Sequence, residues 1–445
     1  MLRNLAAPFV RLFARWMPNP FIFAVLLSLV TFAMALLVAG NGPLATVTAW
    51  GDGFWKLLTF SGQIAITLIT GFALANTPPV RRLLAAFAGL ATTPLRAYVV
   101  VAFAAGVGAL LSWSIGLIVG AIIARLTAGV CRRRGIDIHY PLMVAAAYSG
   151  FVIWHQGLSS SIGLVIATKG HFLEQQIGLI PVSETIFAPW NMVIAGLVLF
   201  TMPFVMAALR PSRANAIPIP EDLVFGDEPD EGAPAHGAGT PARRLEDARL
   251  LNLLIGGGGL VYLFVHFGLR GGGLDLNVVN FTFLTFGILL TRSPLHYAEL
   301  VTDGGRTLGP ILLQYPFYAG IMGMMLDSGL AKIIAGWFVS IASPETLPFW
   351  SMISGGLLNI FIPSGGGQWA VQGPIMIEAA RTLGADIPKV AMGVAIGDGW
   401  TNMIQPFWTI PALAIAGLHV RDIMGYCVIA LIWSGLIFGT GLLLI

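Results

Sequence analysis

Long apolar stretches alternate with short polar connections along most of the chain. Nine of these stretches cover 20–39, 57–75, 141–168, 186–209, 250–268, 278–291, 307–326, 389–418 and 422–443. Two more, 97–130 and 345–381, are long enough for one crossing or for a re-entrant hairpin that enters and leaves the membrane on one side. Apolar runs of about 18 residues are typical of transmembrane helices, so the pattern predicts an all-α polytopic membrane protein.

The positions of the basic residues favour a re-entrant hairpin for both ambiguous stretches. With two hairpins and a cytoplasmic N-terminus, 18 of the 24 Lys and Arg residues fall on the cytoplasmic side. If 97–130 crossed the membrane instead, Arg132, Arg133 and Arg134 would move outside, against the usual excess of basic residues in cytoplasmic loops. We therefore predict nine crossings, two opposed hairpins and a periplasmic C-terminus in the inner membrane.

A polar segment divides the chain into two comparable parts. We predict a cytoplasmic amphipathic lead-in over 1–19, a first repeat over 20–209, a cytoplasmic linker over 210–249, a connecting helix over 250–268 and a second repeat over 278–445. The first repeat contains the hairpin 97–130 and a broken helix over 141–168; the second contains the hairpin 345–381 and a broken helix over 389–418.

Similar residues recur in the two parts at a nearly constant separation. Asp52 corresponds to Asp303 and Gln156 to Gln405, at separations of 251 and 249 residues. An odd number of crossings separates equivalent positions, so the second repeat is expected to be inverted. Inverted repeats with matched interruptions are typical of secondary transporters.

Composition agrees with the pattern and excludes several protein classes. Hydrophobic residues make up 56% of the chain and charged residues 10%, too little charge to cover a soluble protein of this size. The net charge of +3 is spread along the segment ends, so it does not predict nucleic-acid binding. The two cysteines, Cys131 and Cys427, are too few for a disulfide framework or a thiolate metal site, and we expect no metal.

The hairpin tips are the first candidate site. Non-helical backbone at membrane depth must be buried in protein or line a cavity, because unpaired peptide groups are costly there. Glycine-rich turns and helix N-termini present free N–H groups to an anion, although a packed helix kink is the simpler alternative. The candidate substrate-binding residues at the tips are Ser112, Trp113, Ser114, Gly116, Ser364, Gly365, Gly366, Gly367, Gln368 and Trp369.

The broken helices are the second candidate site. His155 and Asp398 are the only ionisable side chains deep in the predicted crossings, and such residues are usually functional. A packed histidine and a structural carboxylate remain as alternatives. We assign His155, Ser159 and Ser160 to substrate binding. Asp398, Thr401, Asn402 and Gln405 are assigned to an ion that couples transport to a gradient.

Several motifs resemble those of the short-chain fatty acid transporters of the AtoE type. They lie at 50–55, 363–369, 372–374, 405–408 with 414–418, and 421–427. The resemblance implies an inner-membrane permease for short-chain fatty acids such as butyrate, within an ion-transporter superfamily built from inverted repeats. We expect no cofactor beyond a coupling ion, a proton or Na⁺. The partners that the resemblance implies are a small carboxylate, the lipid bilayer and a second copy in a homodimer.

Three alternatives differ in kind from a monocarboxylate transporter. A dicarboxylate or other organic-anion carrier would need balancing cations, and no Lys or Arg lies near any of the four interruptions. A passive anion channel also uses broken helices, and concentrative uptake separates it from a carrier. Each kind of intramembrane enzyme needs groups that this chain does not show. An aspartyl protease needs a second membrane aspartate, a zinc hydrolase needs a spaced set of ligands, and a serine hydrolase needs an acid to orient His155 beside Ser159–Ser161. We therefore predict no enzyme.

Overall fold

The computed structural model describes residues 20–212, 214, 216–223, 240–306, 308–360 and 362–445. The lead-in over 1–19 lies outside the described residues, as does 224–239 of the predicted linker. The described residues form α-helices joined by 3₁₀ turns and loops, without a strand among them, which confirms the all-helical prediction.

The helices are numbered here in chain order. Those of the first half are α1 (Pro20–Leu37), α2 (Pro43–Gly53), α3 (Leu58–Ala75), α4 (Pro78–Gly89), α5 (Pro94–Leu111), α6 (Trp113–Arg133), α7 (Tyr140–Ser149), α8 (Ser161–Val165), α9 (Glu174–Ile177) and α10 (Pro189–Ala208). Those that follow are α11 (Pro241–Glu246), α12 (Arg249–Phe264), α13 (Leu276–Leu290), α14 (Pro294–Gly305), α15 (Gly309–Asp327), α16 (Leu330–Ile341), α17 (Leu347–Asn359), α18 (Gly365–Leu383), α19 (Ile387–Thr401), α20 (Pro406–Ala416) and α21 (Val420–Leu444).

Six helices in the described part of the chain are long and apolar enough to cross a membrane. They are α3, α5, α6, α10, the continuous segment Pro241–Leu269, and α21. The pair Leu312–Asp327 and Leu330–Ile341, bent by 77°, would make a seventh span if counted as one. By length α5 and α6 each qualify, so the nine crossings and the re-entrant hairpins stay predictions.

The order of helices in the first half recurs in the second. The starts of α2 to α6, at 43, 58, 78, 94 and 113, match those of α14 to α18, at 294, 309, 330, 347 and 365. The separation stays between 251 and 253 residues, close to the spacing of the sequence matches. The helix α12 has no counterpart in this series, consistent with a connecting role.

Each half contains a helical hairpin closed by an extended residue. α5 ends at Leu111, and Ser112, with a φ of −160° and a ψ of 137°, interrupts the helical conformation for one residue before α6 begins. Small residues let the two arms pack closely in antiparallel fashion: a Cβ at Gly116 would lie 2.7 Å from Ala109 Cβ, and one at Gly120 would lie 3.3 Å from Ala105 Cβ. In the second half α17 and α18 are joined through Ser364, which is also extended.

Each half also contains a helix broken in the same way. α7 continues as a 3₁₀ turn over Gly150–Gln156, and α8 then starts with Ser160 as its N-cap. α19 continues as a 3₁₀ turn over Asn402–Ile404, and α20 follows at Pro406. A 3₁₀ stretch within a helix often marks a functional hinge.

The hydrophobic cores interleave the two halves. One core combines α5, α6 and α7 with the segment after the second break, including Leu413, Met424 and Phe438. The other combines α15 and α18 with the segment after the first break, including Ile162 and Ile186. Each hairpin is therefore packed with the end of the other half's broken helix, and this exchange brings the two breaks together.

The predicted linker is partly fixed to the hairpin of the first half. Arg125 of α6 donates hydrogen bonds to the carbonyl of Leu223 and to that of Ile415 at the end of α20. Arg132 donates to the carbonyl of Ile219 and pairs with Glu221. Residues 217–223 therefore join α6 to the end of the second broken helix.

Candidate functional site

His155 and Asp398, one from each broken helix, meet in the protein interior. Their side chains are 1% and 0% exposed, and His155 Nε2 lies 3.2 Å from Asp398 Oδ1. The other ring nitrogen, Nδ1, lies 3.3 Å from Ser160 Oγ. Ser160 Oγ also accepts a hydrogen bond from the N–H of Gly163 and so caps α8. The imidazole is therefore oriented from both sides.

Ser160, His155 and Asp398 form the sequence of contacts found in a Ser–His–Asp triad. The sequence showed no buried acid beside His155, but in the structure Asp398 of the other half lies there. The ring nitrogens are used in the reverse order, however, because in the hydrolase triad Nε2 faces the serine and Nδ1 the aspartate. Ser160 is fully buried and already caps a helix. Its hydroxyl is therefore suited to orienting the imidazole ring of His155.

The tip of the second hairpin lies directly against the first break. A Cβ atom at Gly365 would stand 2.1 Å from His155 Nε2 and 2.7 Å from Ser161 Oγ. Only a residue without a side chain permits this approach. The first turn of α18, with N–H groups that have no helical acceptor, therefore faces the His155–Asp398 pair.

α15 and α3 support the other side of the second tip. The hydroxyl of Tyr315 lies 3.0 Å from Ser364 Oγ, and Ser364 Oγ accepts a hydrogen bond from the N–H of Gly367 as the N-cap of α18. A Cβ at Gly366 would meet the Phe60 ring, and one at Gly367 would meet the Tyr318 ring. Aromatic rings thus hold the glycine turn in place.

The tip of the first hairpin has a different environment. Ser112 Oγ and Ser114 Oγ are 2.9 Å apart and bond to each other. The N–H of Trp113 donates to Ser159 Oγ at 2.7 Å, so the polar groups here are satisfied within the first half. Gly116 packs against Ala109 in the opposite arm.

The two tips meet α3 at different levels. The first tip faces Gly71, where a Cβ would lie 2.5 Å from Ser114 Oγ, and the second faces Phe60. Eleven residues of helix separate these positions, about 16 Å along the axis. Within the described residues no hydrogen bond joins the two tips.

The four residues assigned to ion coupling converge on Asn359, the last residue of α17. Asn359 Nδ2 lies 3.0 Å from the carbonyl of Asp398, 2.9 Å from Thr401 Oγ1 and 2.7 Å from Asn402 Oδ1. Gln405 Nε2 donates to the carbonyl of Asn359 at 3.2 Å. The sequence assigned no role to Asn359, although a buried amide beside the predicted break is a signal that could have found it.

Two glutamines extend this network along the second hairpin. Gln368 Nε2 donates to the carbonyl of Gly355 and to Gln372 Oε1, and Gln372 Nε2 donates to Ser354 Oγ. The bonds to Gly355 and Ser354 cross between the two arms and hold the hairpin closed. Trp369, which the sequence placed in the substrate site, is fully buried and packs against Gly373 of its own helix.

Four aromatic rings line the side of the site next to His155. The Trp154 ring lies 3.7 Å from the His155 ring and stacks on Phe151 at 5.9 Å. Trp113 contacts Trp154 and Trp408, with centroids 6.5 Å and 5.4 Å apart. The apolar wall thus runs from the histidine to the first hairpin tip.

Most of the buried side-chain polar atoms without a hydrogen-bond partner in the described structure lie in this region. Leaving such a group unpaired costs about 1–3 kcal/mol, so their concentration indicates a place where a ligand, an ion or water binds. They are Trp154 Nε1, His155 Nε2, Gln156 Oε1, Ser161 Oγ, Asn359 Oδ1, Gln368 Oε1, Trp369 Nε1, both carboxylate oxygens of Asp398, and Asn402 Nδ2.

Comparisons with solved structures concern the fold. The YdaH transporter of Alcanivorax borkumensis is similar at a TM-score of 0.61 and 14% identity, covering 95% of this chain and 98% of that one. MtrF of Neisseria gonorrhoeae, described as one of a class of antimetabolite efflux pumps, is similar at a TM-score of 0.52 and 16% identity, covering 97% and 96%. The chain therefore shares the fold of these two proteins.

Comparisons of sequence concern the family. The model of the family described as "Short chain fatty acid transporter" matches residues 1–445. A protein of Escherichia coli K12 named "Putative short-chain fatty acid transporter" is 42% identical over 444 residues, with all of both chains covered. One of the same name from Haemophilus influenzae is 39% identical over 436 residues, or 96% of each chain. The chain belongs to the short-chain fatty acid transporter family.

Proposed function

We propose that the protein is a secondary active transporter that moves short-chain fatty acids such as butyrate across the cytoplasmic membrane by ion-coupled alternating access. The observation that carries this proposal is the contact of the α18 N-terminus with the first break. There Gly365 lies against His155 and Ser161, and the N–H groups of Gly365 and Gly366, in the first turn of α18, have no acceptor within the helix. A helix N-terminus favours a carboxylate through its N–H groups and its partial positive charge.

The site suits one carboxylate with a short apolar tail. The segments 139–168 and 390–420 contain no Lys or Arg, and Asp398 is their only acid. A second carboxylate on the substrate would thus have no cation to balance it. The carboxylate binds at Ser364–Gly367, and the tail lies along Trp154 and Trp113.

Transport of an anion into a negative interior needs a coupling ion. Moving one uncompensated charge across the membrane costs about 2.3 kcal/mol per 100 mV. Asp398 is the only acid in the site, and Asn359 links it to Thr401, Asn402 and Gln405. We assign this cluster to the coupling step. Both breaks occur at 3₁₀ turns, where we expect the chain to hinge during alternating access.

Orientation follows the distribution of basic residues. We propose an inner-membrane protein with a cytoplasmic N-terminus and a periplasmic C-terminus, because this places most Lys and Arg residues inside. Membership of a transporter family favours a protein that is not an enzyme, and the reversed contacts of His155 agree with that. A homodimer is part of the same proposal.

The test is counterflow of labelled butyrate in proteoliposomes. Neutral butyric acid crosses lipid unaided, so uptake is compared with protein-free vesicles at equal internal and external pH. Vesicles preloaded with unlabelled butyrate should transiently concentrate the label above equilibrium, which a channel cannot do. Simple equilibration would establish a channel, and no protein-dependent flux would reject butyrate. Succinate in the same assay tests the dicarboxylate alternative.

A further inference from the structure

We infer that His155 and Asp398 together bind the coupling ion, and that this ion is a single proton carried with each carboxylate in an electroneutral cycle. The inference rests on the proposed function and adds the identity of the ion, its binding site and the charge that moves.

The pair is built to hold one proton. A base and an acid lie 3.2 Å apart with almost no exposure to solvent. Neither carboxylate oxygen of Asp398 nor Nε2 of His155 has an aligned hydrogen bond. A proton placed between them would satisfy groups on both residues at once. Ser160 holds the other face of the ring, so the imidazole stays directed at the carboxylate.

The surroundings are poorly arranged for Na⁺. A hard cation prefers several oxygen ligands, while imidazole nitrogen is a ligand typical of transition metals. The nearest side-chain oxygens on the same element, those of Thr401 and Asn402, already face the Asn359 amide. A Na⁺ ion bound to Asp398 Oδ1 would have to displace the imidazole contact, and the unpaired Ser161 Oγ nearby faces the Gly365 turn instead.

Among the residues that the structure describes, no Lys or Arg pairs with Asp398. Among the titratable groups on the described elements around it, His155 faces the carboxylate from the first break and Tyr315 from α15. Tyr148 of α7 donates instead to the carbonyl of Asn402. Lys389 is nine residues away along α19, about 14 Å. The titratable groups of α18 and α21 lie elsewhere on those helices: Glu378, Arg381, Arg421, Asp422, Tyr426 and Cys427.

The substrate carboxylate and the proton meet at Gly365. Because a Cβ there would lie 2.1 Å from His155 Nε2, an anion on the first turn of α18 stands next to the pair. The unprotonated pair carries one negative charge and repels that anion, whereas the protonated pair is neutral. Proton and substrate therefore strengthen each other's binding, and the coupling is reciprocal.

The charge of the moving site follows from this arrangement. The empty site, with His155 neutral and Asp398 ionised, carries one negative charge. The loaded site, with one added proton and one carboxylate, also carries one negative charge. Reorientation of the empty and loaded forms thus moves equal charge in opposite directions, and a complete cycle transfers one proton and one carboxylate without net charge.

The experiment is isothermal titration of the purified full-length protein in detergent with butyrate, between pH 5.5 and 9. Buffers with different ionisation enthalpies report the protons taken up. For the native chain we expect about one proton per butyrate at the alkaline end, and an affinity that falls up to about tenfold per pH unit. Asp398→Asn should bind butyrate without proton uptake and with a flat pH profile. His155→Gln serves as a second variant should Asp398→Asn fail to fold.

Asp303→Asn is the matched control, because Asp303 is half-exposed on α14 and pairs with Arg306 away from the site. It should behave as the native chain does. Butyrate affinity that rises with Na⁺ and involves no proton uptake would overturn the inference while leaving the transporter in place. An undiminished proton uptake in Asp398→Asn would do the same. Absence of butyrate binding by folded protein at every pH would reject the proposed function itself.

Discussion

The two hairpin tips share a backbone design but differ in what their polar groups contact. The first tip bonds within its own half, Ser112 to Ser114 and Trp113 to Ser159. The second tip reaches into the other half, where Gly365 lies on His155. Unpaired buried atoms accompany the second tip and the two breaks, while the serines of the first tip are satisfied.

This difference shows that two hairpins of similar backbone structure can have different roles. Equivalent positions in a repeat have the same shape, but only unpaired groups remain free to bind a ligand. We therefore propose that the carboxylate binds at the second tip. The first tip supports the break beside it and contributes Trp113 to the apolar wall. Four variants test this division, beginning with the one of largest expected effect.

Gly365→Ala should abolish butyrate counterflow, a loss of at least about 100-fold. The new methyl group would overlap His155 Nε2, so the imidazole must leave its contact with Asp398. Gly336→Ala on α16 is the matched control, since a Cβ there meets nothing within 4 Å. Native counterflow in folded Gly365→Ala protein would contradict the placement of the site.

Asn359→Ala should lower gradient-driven accumulation by about 10- to 100-fold. The change leaves groups of Asp398, Thr401 and Asn402 without their amide partner, and each such loss costs about 1–3 kcal/mol. Counterflow should fall less than accumulation, because exchange needs no net movement of the ion. Asn76→Ala, at the end of α3, provides an amide control. Equal losses in both assays would argue against a role in coupling.

Tyr315→Phe should raise the KM for butyrate by about 2- to 12-fold with little change in maximal rate. The hydroxyl that contacts Ser364 Oγ is lost, and a hydrogen bond of this kind contributes about 0.5–1.5 kcal/mol. Tyr297→Phe is the comparison, since the Tyr297 hydroxyl is buried without a partner. An unchanged KM in Tyr315→Phe would show that Ser364 is positioned by other contacts.

The double variant Ser112→Ala with Ser114→Ala should change the KM by less than about threefold. The two hydroxyls bond to each other, and replacing both partners leaves no unpaired group. A loss as large as that of Tyr315→Phe would mean that the first tip also binds the carboxylate. Initial rates over a range of butyrate concentrations decide between these results.

The all-helical class could be predicted from the long apolar stretches, and several of these stretches can be compared with the helices directly. The stretches 97–130 and 345–381 correspond to the helix pairs α5–α6 and α17–α18, and 389–418 to α19 and α20. Hydrophobic runs and Gly/Ser-rich breaks are local features of the sequence, so they can be recognised without knowledge of tertiary contacts. The short helices α2, α4, α14 and α16 were missed because prolines and charged residues keep their apolar runs below the length of a span.

Contacts between distant segments could not be predicted in the same way. His155 and Asp398 each stood out as polar residues in apolar surroundings, but their pairing depends on how the halves interleave. Asn359, Gln372 and Tyr315 gained their roles only through partners elsewhere in the chain. A single sequence carries no direct record of such pairings.

Anomalous diffraction from crystals containing 4-bromobutyrate would test the central claim most directly. The account predicts the carboxylate at the first turn of α18, within hydrogen-bond distance of the N–H groups at Gly365 and Gly366 and beside His155. The bromine should lie toward Trp154 and Trp113. A carboxylate bound instead between Ser112 and Ser114, or a bromine peak away from both tips, would contradict it.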